Sequence, residues 1–276
     1  MIPKKDGNIL EILQKNMNSS SMDEVIRLVR ERIDQNKKTF ITTPNPEFII
    51  YAQNNPWFKK ILMQSDIAIS DGVALLWAEE VLKKNNPFSR LLVGFLTGLK
   101  VIFTGWGKKR ITGTDLMEKL CQLAAKNGWS VYFLGGKEGI AQKALKKLQS
   151  KYKGLMGGAN SGPQLEIRNS KLIGNSQFEI GKLVDEINDK QPTFLFVAFG
   201  MGKQEKFIFD NWSKLKVKLA MGIGGAFDYL SGEVKRAPQW VQNMGFEWFY
   251  RLIKEPWRWK RQLGLLNFIG LVLKGE

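Results

Sequence analysis

Two apolar runs in the C-terminal half of the chain decide the fold: "PTFLFVAFG" (192–200) and "VKLAMGIGG" (217–225). Each run is mostly apolar and ends in glycine, which is typical of a strand that helices cover on both faces. Upstream, "SMDEVIRLVRERIDQ" (21–35) has apolar residues at helical spacing and precedes the short strand "TFITT" (39–43). The same alternation continues along the chain. It predicts an α/β fold with a Rossmann-like, mostly parallel sheet and helices on both faces.

Glycine follows four of the predicted strands. The strand ends are Asp71-Gly72, Gly135-Gly136, Gly200 and Gly224-Gly225. Glycine lets backbone amides approach a ligand, and the N-terminus of a following helix favours a phosphate. The carboxyl ends of parallel strands lie at one edge of a sheet, where ligands bind. The sequence therefore predicts a nucleotide site at this edge, and we add the neighbouring Phe199 and Asp228 to it.

The composition excludes several kinds of catalytic site. No histidine occurs in the 276 residues, so Ser-His, Cys-His and His-metal catalysis are excluded. Cys121 is the single cysteine, which suits a reducing compartment. No Asp-x-Asp occurs, the usual device for holding a divalent metal on a nucleotide diphosphate. We therefore expect no metal and no cofactor, and a leaving diphosphate would have to be stabilised by amides and cations.

A dinucleotide-dependent oxidoreductase is the competing enzyme class. The segment "FGMGKQE" (199–205) contains Gly-x-Gly but lacks the third glycine of the dinucleotide fingerprint. No second strand ends in an acid about 20 residues further on, as ribose recognition would need. This class stays as the alternative.

The net charge of +16 predicts anionic partners. From Lys235 to the end, the chain has eight basic residues but only three glutamates. Four tryptophans lie among the basic residues: Trp240, Trp248, Trp257 and Trp259. Cations with indole rings favour a membrane interface, although a groove for single-stranded nucleic acid or a non-catalytic adaptor would use the same residue types. The apolar run "LGLLNFIGLVL" (263–273) favours the membrane. We expect a catalytic domain over 1–234, a membrane-associating helical appendage over 235–276, and no nucleic-acid partner.

The location expected from the sequence is the cytoplasm, at the inner face of the cell membrane. The first 24 residues lack the apolar core of a secretory signal, and no uninterrupted apolar stretch of about 18 residues occurs. The segment from Pro87 to Lys109 is apolar with basic residues at both ends. It predicts either a buried helix plus strand or a second membrane-contacting hairpin.

Six motifs carry a family resemblance. In chain order they are "TPNPEF", "AISDGVAL", "RITGTDLM", "VYFLGGKEG", "FVAFGMGKQEKFI" and "GIGGAFDYLSGEVKRAPQWVQNMGFEWFYRLIKEPWRWKRQ". From about Met22 to Gln262 the chain resembles the WecG/TagA/CpsF glycosyltransferases. The resemblance implies inverting transfer of an N-acetylmannosamine-type sugar from a uridine diphosphate (UDP) donor to polyprenyl-diphosphate-linked N-acetylglucosamine, in cell-surface polysaccharide synthesis. Glucose or a mannosaminuronic acid is the alternative donor sugar, and homo-oligomerisation stays open.

The resemblance also assigns roles to residues. It makes Asp71 the base that deprotonates the acceptor, which agrees with the need for a carboxylate at a strand end when histidine is absent. It places Thr43 and Asn45 near the acceptor sugar, Arg110 near the diphosphate, and Gln204 on the substrate. The structural alternatives are a turn for Asp71, a helix cap for Thr43 and Asn45, a loop cation for Arg110 and a first-turn helix residue for Gln204.

Basic residues of the appendage are assigned to the acceptor. Arg251, Arg258 and Arg261 correspond to family arginines that reach the lipid diphosphate, and a solvated basic face is the alternative. The link from "DGVALLWA" to "RITG" is longer than in the family because it contains the segment from Pro87 to Lys109. This added length precedes Arg110 directly, so the spacing before Arg110 differs from that of the family.

Overall fold

The computed structural model describes residues 21–104, 111–173, 177–256 and 259–275, with side chains except at 102–104, 177–178 and 260–262. The strands are β1 (Thr39–Thr42), β2 (Ile67–Ala68), β3 (Ser130–Gly135), β4 (Met156–Asn160), β5 (Glu166–Arg168), β6 (Lys171–Ile173), β7 (Phe194–Ala198) and β8 (Leu219–Gly222). The helices are α1 (Met22–Asp34), α2 (Pro46–Asn54), α3 (Pro56–Gln64), α4 (Val73–Leu82), α5 (Pro87–Thr104), α6 (Gly113–Asn127), α7 (Ile140–Lys151), α8 (Gln177–Asp189), α9 (Lys203–Asn211), α10 (Ala226–Leu230), α11 (Gln239–Asn243), α12 (Glu247–Lys254) and α13 (Trp259–Lys274).

Six strands form one sheet in the order β2-β1-β8-β7-β3-β4, and every pair in it is parallel. The two apolar runs lie side by side at its centre, where Phe196 of β7 pairs with Met221 of β8. This arrangement confirms the predicted Rossmann-like α/β sheet.

Helices cover the sheet on both faces. Along β7, Phe194 and Phe196 pack into one hydrophobic cluster, whereas Leu195 and Val197 pack into another. Successive side chains of a strand point to opposite faces, so both faces of β7 need apolar residues. Residues of α1, α6 and α7 complete the first cluster, and residues of α3, α8 and α9 complete the second.

The sequence signals for helix ends agree with the structure. The Ser21 hydroxyl accepts a hydrogen bond from the Glu24 amide at the start of α1, which is the contact that a Ser-x-x-Glu sequence favours at a helix start. Gly128 ends α6 with a left-handed backbone, at φ 67°. The polar stretch 160–177 has no apolar periodicity that would predict a strand, yet it contains the antiparallel hairpin of β5 and β6.

The C-terminal helix α13 is part of a third hydrophobic cluster. Its Phe268 and Val272 are fully buried against residues of α2 and α4, such as Ile49 and Ala78. The apolar run over 263–273 is therefore only partly exposed, because one side of the helix packs on the α/β domain.

The apolar segment after α4 forms one 18-residue helix over its described part, α5. The predicted buried helix plus strand is wrong here, since Pro87–Thr104 is helical throughout and several of its large apolar side chains are exposed. Among the described residues, no helix is both long enough and apolar enough to cross a membrane.

Candidate active site

The carboxyl edge of the sheet brings together residues that are far apart in sequence. Thr43 and Asn45 follow β1, Asp71 follows β2, and Gly224 follows β8. Phe199 and Gly200 follow β7, and Gly135-Gly136 end β3. The sequence predicted this convergence from the parallel sheet.

Asp71 lies in the turn that joins β2 to α4. Its backbone amide donates a hydrogen bond of 2.8 Å to the Pro44 carbonyl, which ties the turn to the end of β1. Asp71 also pairs with Ile111 in an isolated parallel bridge. Gly72 then adopts φ 104° and begins α4, a backbone angle that favours glycine. Asp71 thus lies in a turn at the ligand edge, and its assignment as the base stays a prediction.

Thr43 and Asn45 lie beside this turn, at the end of β1. Thr43 is buried against Gly113 at the start of α6, where an added Cβ would lie 3.4 Å from the threonine Cγ2. Asn45 accepts a hydrogen bond of 3.1 Å from the Phe48 amide through its Oδ1 and so caps α2. The capping alternative is confirmed for Asn45. For Thr43 the described hydrogen bonds include no such cap.

Gln204 is buried at the start of α9 and joins β7 to β8. Its Oε1 accepts a hydrogen bond of 3.0 Å from the Gly224 amide, and its Nε2 donates one of 2.7 Å to Glu205 Oε1. Both the oxygen and the nitrogen of the side-chain amide therefore bind protein groups, and the bond to Gly224 holds the turn that follows β8. The family resemblance assigns Gln204 to the substrate, and this assignment stays a prediction. The contacts that the structure describes position Gly224.

Arg251 of α12 reaches the same turn from the C-terminal segment. An added Cβ at Gly225 would lie 3.1 Å from Arg251 Nη2 and 3.2 Å from Asp228 Oδ2. The guanidinium carbon lies 5.1 Å from the centre of the Tyr229 ring, and Nε donates a hydrogen bond of 3.2 Å to Glu255. The structure therefore brings Arg251 and Asp228 together over Gly225.

Three predicted arginines cannot be placed in the same way. Arg110 and Arg258 lie outside the described residues, and Arg261 lies in α13 with an undescribed side chain. Their assignments stay predictions.

A cleft of about 650 Å³ opens at the ends of β3, β4 and β7. Its lining consists of Gly136, Lys137, Glu138, Gly139, Gln142, Asn160, Ser161, Gly162, Pro163, Gln164, Leu165, Ala198, Phe199 and Lys203. The Phe199 ring packs against Gly162, where an added Cβ would lie 2.8 Å from the ring. At Gly135 an added Cβ would lie 2.8 Å from the Ala198 carbonyl oxygen, so β3 can approach β7 only with glycine there.

The cleft is mainly polar and has features that suit a phosphorylated ligand. Lys137 and Lys203 are cationic, and the N-terminus of α7 lies at its rim. The Oε1 atom of Gln142 is buried and has no hydrogen-bond partner among the described residues. Within those residues, no three Cys, Asp or Glu side chains come together in a way that could hold a metal ion.

Comparison with known proteins identifies the family. The model of the glycosyl transferase WecG/TagA/CpsF family matches residues 10–276. The chain belongs to this family. It is therefore a glycosyltransferase, which confirms the resemblance carried by the six motifs.

Two curated relatives match over most of their length. An N-acetylglucosaminyldiphosphoundecaprenol N-acetyl-beta-D-mannosaminyltransferase of Bacillus subtilis is 29% identical over 263 residues, which cover 94% of this chain and 89% of the relative. A protein of the same name from Bacillus spizizenii is 29% identical over 245 residues, which cover 88% of this chain and 82% of the relative.

Two charged residues of this glycosyltransferase were missed by the sequence reasoning. The first, Glu205, is completely buried beside Gln204, and its Oε2 accepts a hydrogen bond of 2.7 Å from the Gly202 amide. Burial raises the pKa of Glu205 to about 7, although the hydrogen bonds from Gln204 and Gly202 oppose the increase. The sequence did contain a signal for this contact. Glu205 lies three residues after Gly202, which precedes the helix, and a glutamate at that position often accepts a hydrogen bond from the amide of the capping residue.

The second missed residue is Arg236, which joins three parts of the chain. Its Nη2 donates to Asp115 Oδ2 at 3.0 Å and to Thr112 Oγ1 at 3.1 Å, and its Nε donates to Glu247 Oε1 at 2.9 Å. Burial disfavours the charge of Arg236, but the hydrogen bonds and attraction from Asp115 and Glu247 outweigh this effect and raise its pKa. The start of α6 is thereby tied to α12, the helix that carries Arg251.

Proposed function

We propose that this glycosyltransferase moves an N-acetylmannosamine-type sugar from a UDP-sugar to polyprenyl-diphosphate-linked N-acetylglucosamine, with inversion and without a metal ion. The names of the two Bacillus relatives support this sugar and this acceptor. The observation that carries the proposal is the position of Asp71 at the carboxyl edge of the sheet, on the same edge as the glycine-lined cleft. Glucose or a mannosaminuronic acid is the alternative donor sugar.

The cleft is the proposed donor site. The backbone amides around Gly136 and the side chains of Lys137 and Lys203 would contact the diphosphate. Hydrogen-bond donors and cations that the protein already holds in place need little rearrangement when negative charge develops on the leaving group. This arrangement stabilises departing UDP with cations and amides in place of a metal.

Asp71 is the proposed general base. Its carboxylate takes the proton from the acceptor hydroxyl while that oxygen forms a bond to the anomeric carbon of the donor sugar. The bond from that carbon to the UDP oxygen breaks on the opposite side, and UDP leaves with the electron pair. One displacement of this kind inverts the anomeric centre.

Arg251 is the proposed contact for the acceptor diphosphate, together with Arg258 and Arg261. The position of Arg251 over the turn at Gly225, beside Asp228, supports this assignment. The tryptophans and basic residues of 235–276 would hold the protein at the anionic inner face of the cell membrane, where a polyprenyl-linked acceptor resides.

Transfer of radiolabelled sugar from a panel of UDP-sugars to a lipid-linked N-acetylglucosamine diphosphate tests the proposal. We expect product with UDP-N-acetylmannosamine and with the opposite anomeric configuration. NAD serves as the control ligand in thermal-shift measurements, where UDP should stabilise the protein and NAD should not. Absence of transfer from every UDP-sugar, or stabilisation by NAD alone, would overturn it.

A further inference from the structure

Helix α5 carries a large apolar face that is exposed. Its most exposed apolar side chains are Phe88 (78%), Leu91 (58%), Leu92 (50%), Phe95 (65%), Leu96 (54%) and Leu99 (37%). Phe88, Leu92, Phe95 and Leu99 are four, three and four residues apart, so they share one side of the helix. Contiguous exposed apolar surface of this kind marks an interaction site.

The opposite side of α5 is fixed on the protein. Gly94 and Val101 are buried, and the Trp77 indole of α4 donates a hydrogen bond of 2.9 Å to the Gly94 carbonyl. An added Cβ at Gly94 would lie 3.1 Å from the same indole, so the two helices approach closely. This packing fixes the rotation of α5 and keeps its apolar face outward.

The neighbours of α5 belong to the C-terminal segment. Arg90 donates a hydrogen bond of 2.7 Å to the Lys274 carbonyl at the end of α13. Val101 lies 3.4 Å from an added Cβ at Gly245, just before α12. These two helices also expose large apolar side chains, namely Trp248, Phe249 and Ile253 on α12 and Trp259, Leu263 and Leu266 on α13. Helix α5 thus packs against the proposed membrane-docking segment.

The charges around α5 match an anionic surface. Its 18 residues contain Arg90 and Lys100 and no acidic residue, and Lys83 and Lys84 precede it. A helix with one apolar face and cationic residues at its borders binds in the interface of an anionic membrane, with its axis in the plane. A second copy of this chain fits less well, because two chains of charge +16 repel each other.

We propose that α5 is a second lipid-docking helix, which inserts Phe88, Leu92, Phe95 and Leu99 into the interface of a bilayer that contains anionic phospholipid. This inference rests on the proposed lipid-linked acceptor, because an acceptor in the membrane requires the active site to be held against it. With its other side on α4 and α13, the helix lies flat and brings the α/β domain close to the lipid surface.

Vesicle co-sedimentation of the full chain provides the test. The double variant Phe95→Gln with Leu99→Gln replaces exposed apolar side chains, so folding should be unaffected. The matched control is Met156→Gln with Ile173→Gln, which changes two exposed apolar residues outside α5. With vesicles of phosphatidylglycerol and phosphatidylcholine, we expect at least about tenfold weaker binding of the α5 variant and wild-type binding of the control, given the free energy of burying two large apolar side chains.

A site-specific probe gives a second measurement. Cys121 is fully buried, so an environment-sensitive fluorophore will label Leu92→Cys selectively. The emission should shift to shorter wavelength when vesicles are added, and the same label at Met156→Cys should show no shift. Wild-type vesicle binding by the double variant together with no shift at position 92 would overturn the inference.

Self-association is the competing occupant of this face. If sedimentation equilibrium shows a dimer of the wild type that the α5 double variant abolishes, while vesicle binding is unchanged, the face binds a second copy and the inference is wrong. The double variant should retain transfer to a water-soluble short-chain acceptor and lose it on a vesicle-embedded acceptor. Failure of the wild type on both acceptors would contradict the proposed function, whereas vesicle binding tests α5 independently.

Discussion

Arg236 and Asp115 are 121 residues apart in sequence, yet they form an ion pair that joins the C-terminal segment to the start of α6. The same guanidinium binds Glu247 in the first turn of α12. Because α12 also carries Arg251, the Arg236 ion pairs set the position of α12 relative to the sheet edge. Arg236 is thus a positioning residue for the proposed acceptor site.

Replacement of Arg236 should therefore impair transfer through α12. We expect Arg236→Gln to cost about 1–3 kcal/mol of unfolding free energy, because Asp115 and Glu247 lose their cationic partner. It should also raise KM for the acceptor more than KM for the donor. Thermal denaturation and steady-state kinetics measure these effects. The control is Arg27→Gln, which removes an exposed i,i+4 pair with Glu31 and should change neither quantity measurably. Unchanged acceptor KM in Arg236→Gln would contradict the positioning role.

Asp71→Asn should abolish most of the transfer reaction without affecting donor binding. The amide cannot accept the acceptor proton, and loss of a positioned base costs roughly 10² or more in kcat. UDP binding by calorimetry should match the wild type, since Asp71 is assigned to the chemical step alone. Asp185→Asn makes the same chemical change at an exposed position of α8 and should keep full activity. Near-normal turnover of Asp71→Asn would exclude Asp71 as the base.

The sequence was most informative where both faces of an element are buried. β7 and β8 could be predicted because each needs apolar residues at successive positions, and their shared edge then located Asp71, Thr43 and Gly224. Strand β4 was not predicted, since its sequence "MGGAN" has two glycines and no β-branched or aromatic residue. An added Cβ at Gly157 would lie 2.4 Å from the Val131 carbonyl oxygen, so β4 requires glycine to approach β3.

Long-range polar contacts were also beyond the sequence. The Arg236 ion pairs join residues whose local patterns give no sign of each other. The exposed face of α5 could not be read from the sequence either, because apolar residues occur on both sides of the helix. Val101 is buried and Leu92 is half exposed, so periodicity alone could not separate a buried helix from a membrane-contacting one.

The buried Glu205 should make stability depend on pH. Its pKa is raised from an ordinary value of 4.5 to about 7 in the folded protein, so folding favours the protonated form. Its contribution is fully present below about pH 4.5 and is lost as the pH rises to about 7, by about 3 kcal/mol in total. Chemical denaturation at several pH values should therefore show the unfolding free energy of the wild type falling relative to Glu205→Gln across this range.

The glutamine variant is informative through this pH dependence and not through its absolute stability. In Glu205→Gln the amide nitrogen, itself a donor, would lie opposite the donor of Gln204 or of Gly202. The variant should therefore be less stable than the wild type at low pH. Glu166→Gln makes the same chemical change at an exposed position of β5 and is the control. A constant difference for Glu205→Gln would contradict the raised pKa.

Transfer should survive chelation of divalent ions. The leaving diphosphate is assigned to amides and to Lys137 and Lys203, so excess EDTA should leave the initial rate within about twofold of the untreated enzyme. The measurement is radiolabelled transfer with EDTA and with added magnesium. Loss of activity that magnesium restores would show that the leaving group needs a metal.

The last prediction separates catalysis from membrane docking within α12. Lipid attraction is a summed effect of about 1 kcal/mol per basic residue near the surface, so a single substitution should hardly change it. A cation that contacts the acceptor diphosphate acts locally, and its loss should lower transfer by roughly 10². Arg251→Ala should therefore reduce transfer strongly and leave vesicle co-sedimentation almost intact. Lys254→Ala, which removes an exposed cation one turn further along the same helix, should preserve both.

Point variants are the sharper test here, because deletion of the segment from Phe246 onward would also remove the buried Phe268 and Val272 from the third hydrophobic cluster. Loss of such core residues destabilises a protein by about 2–5 kcal/mol each, so a truncated chain would lose activity for reasons of folding. Arg251 lies beside Glu255 and the Tyr229 ring and contributes little to that core. Arg251→Ala should accordingly unfold at nearly the wild-type temperature. Equal activities of Arg251→Ala and Lys254→Ala would show that Arg251 has no local role in transfer and that α12 contributes only its charge.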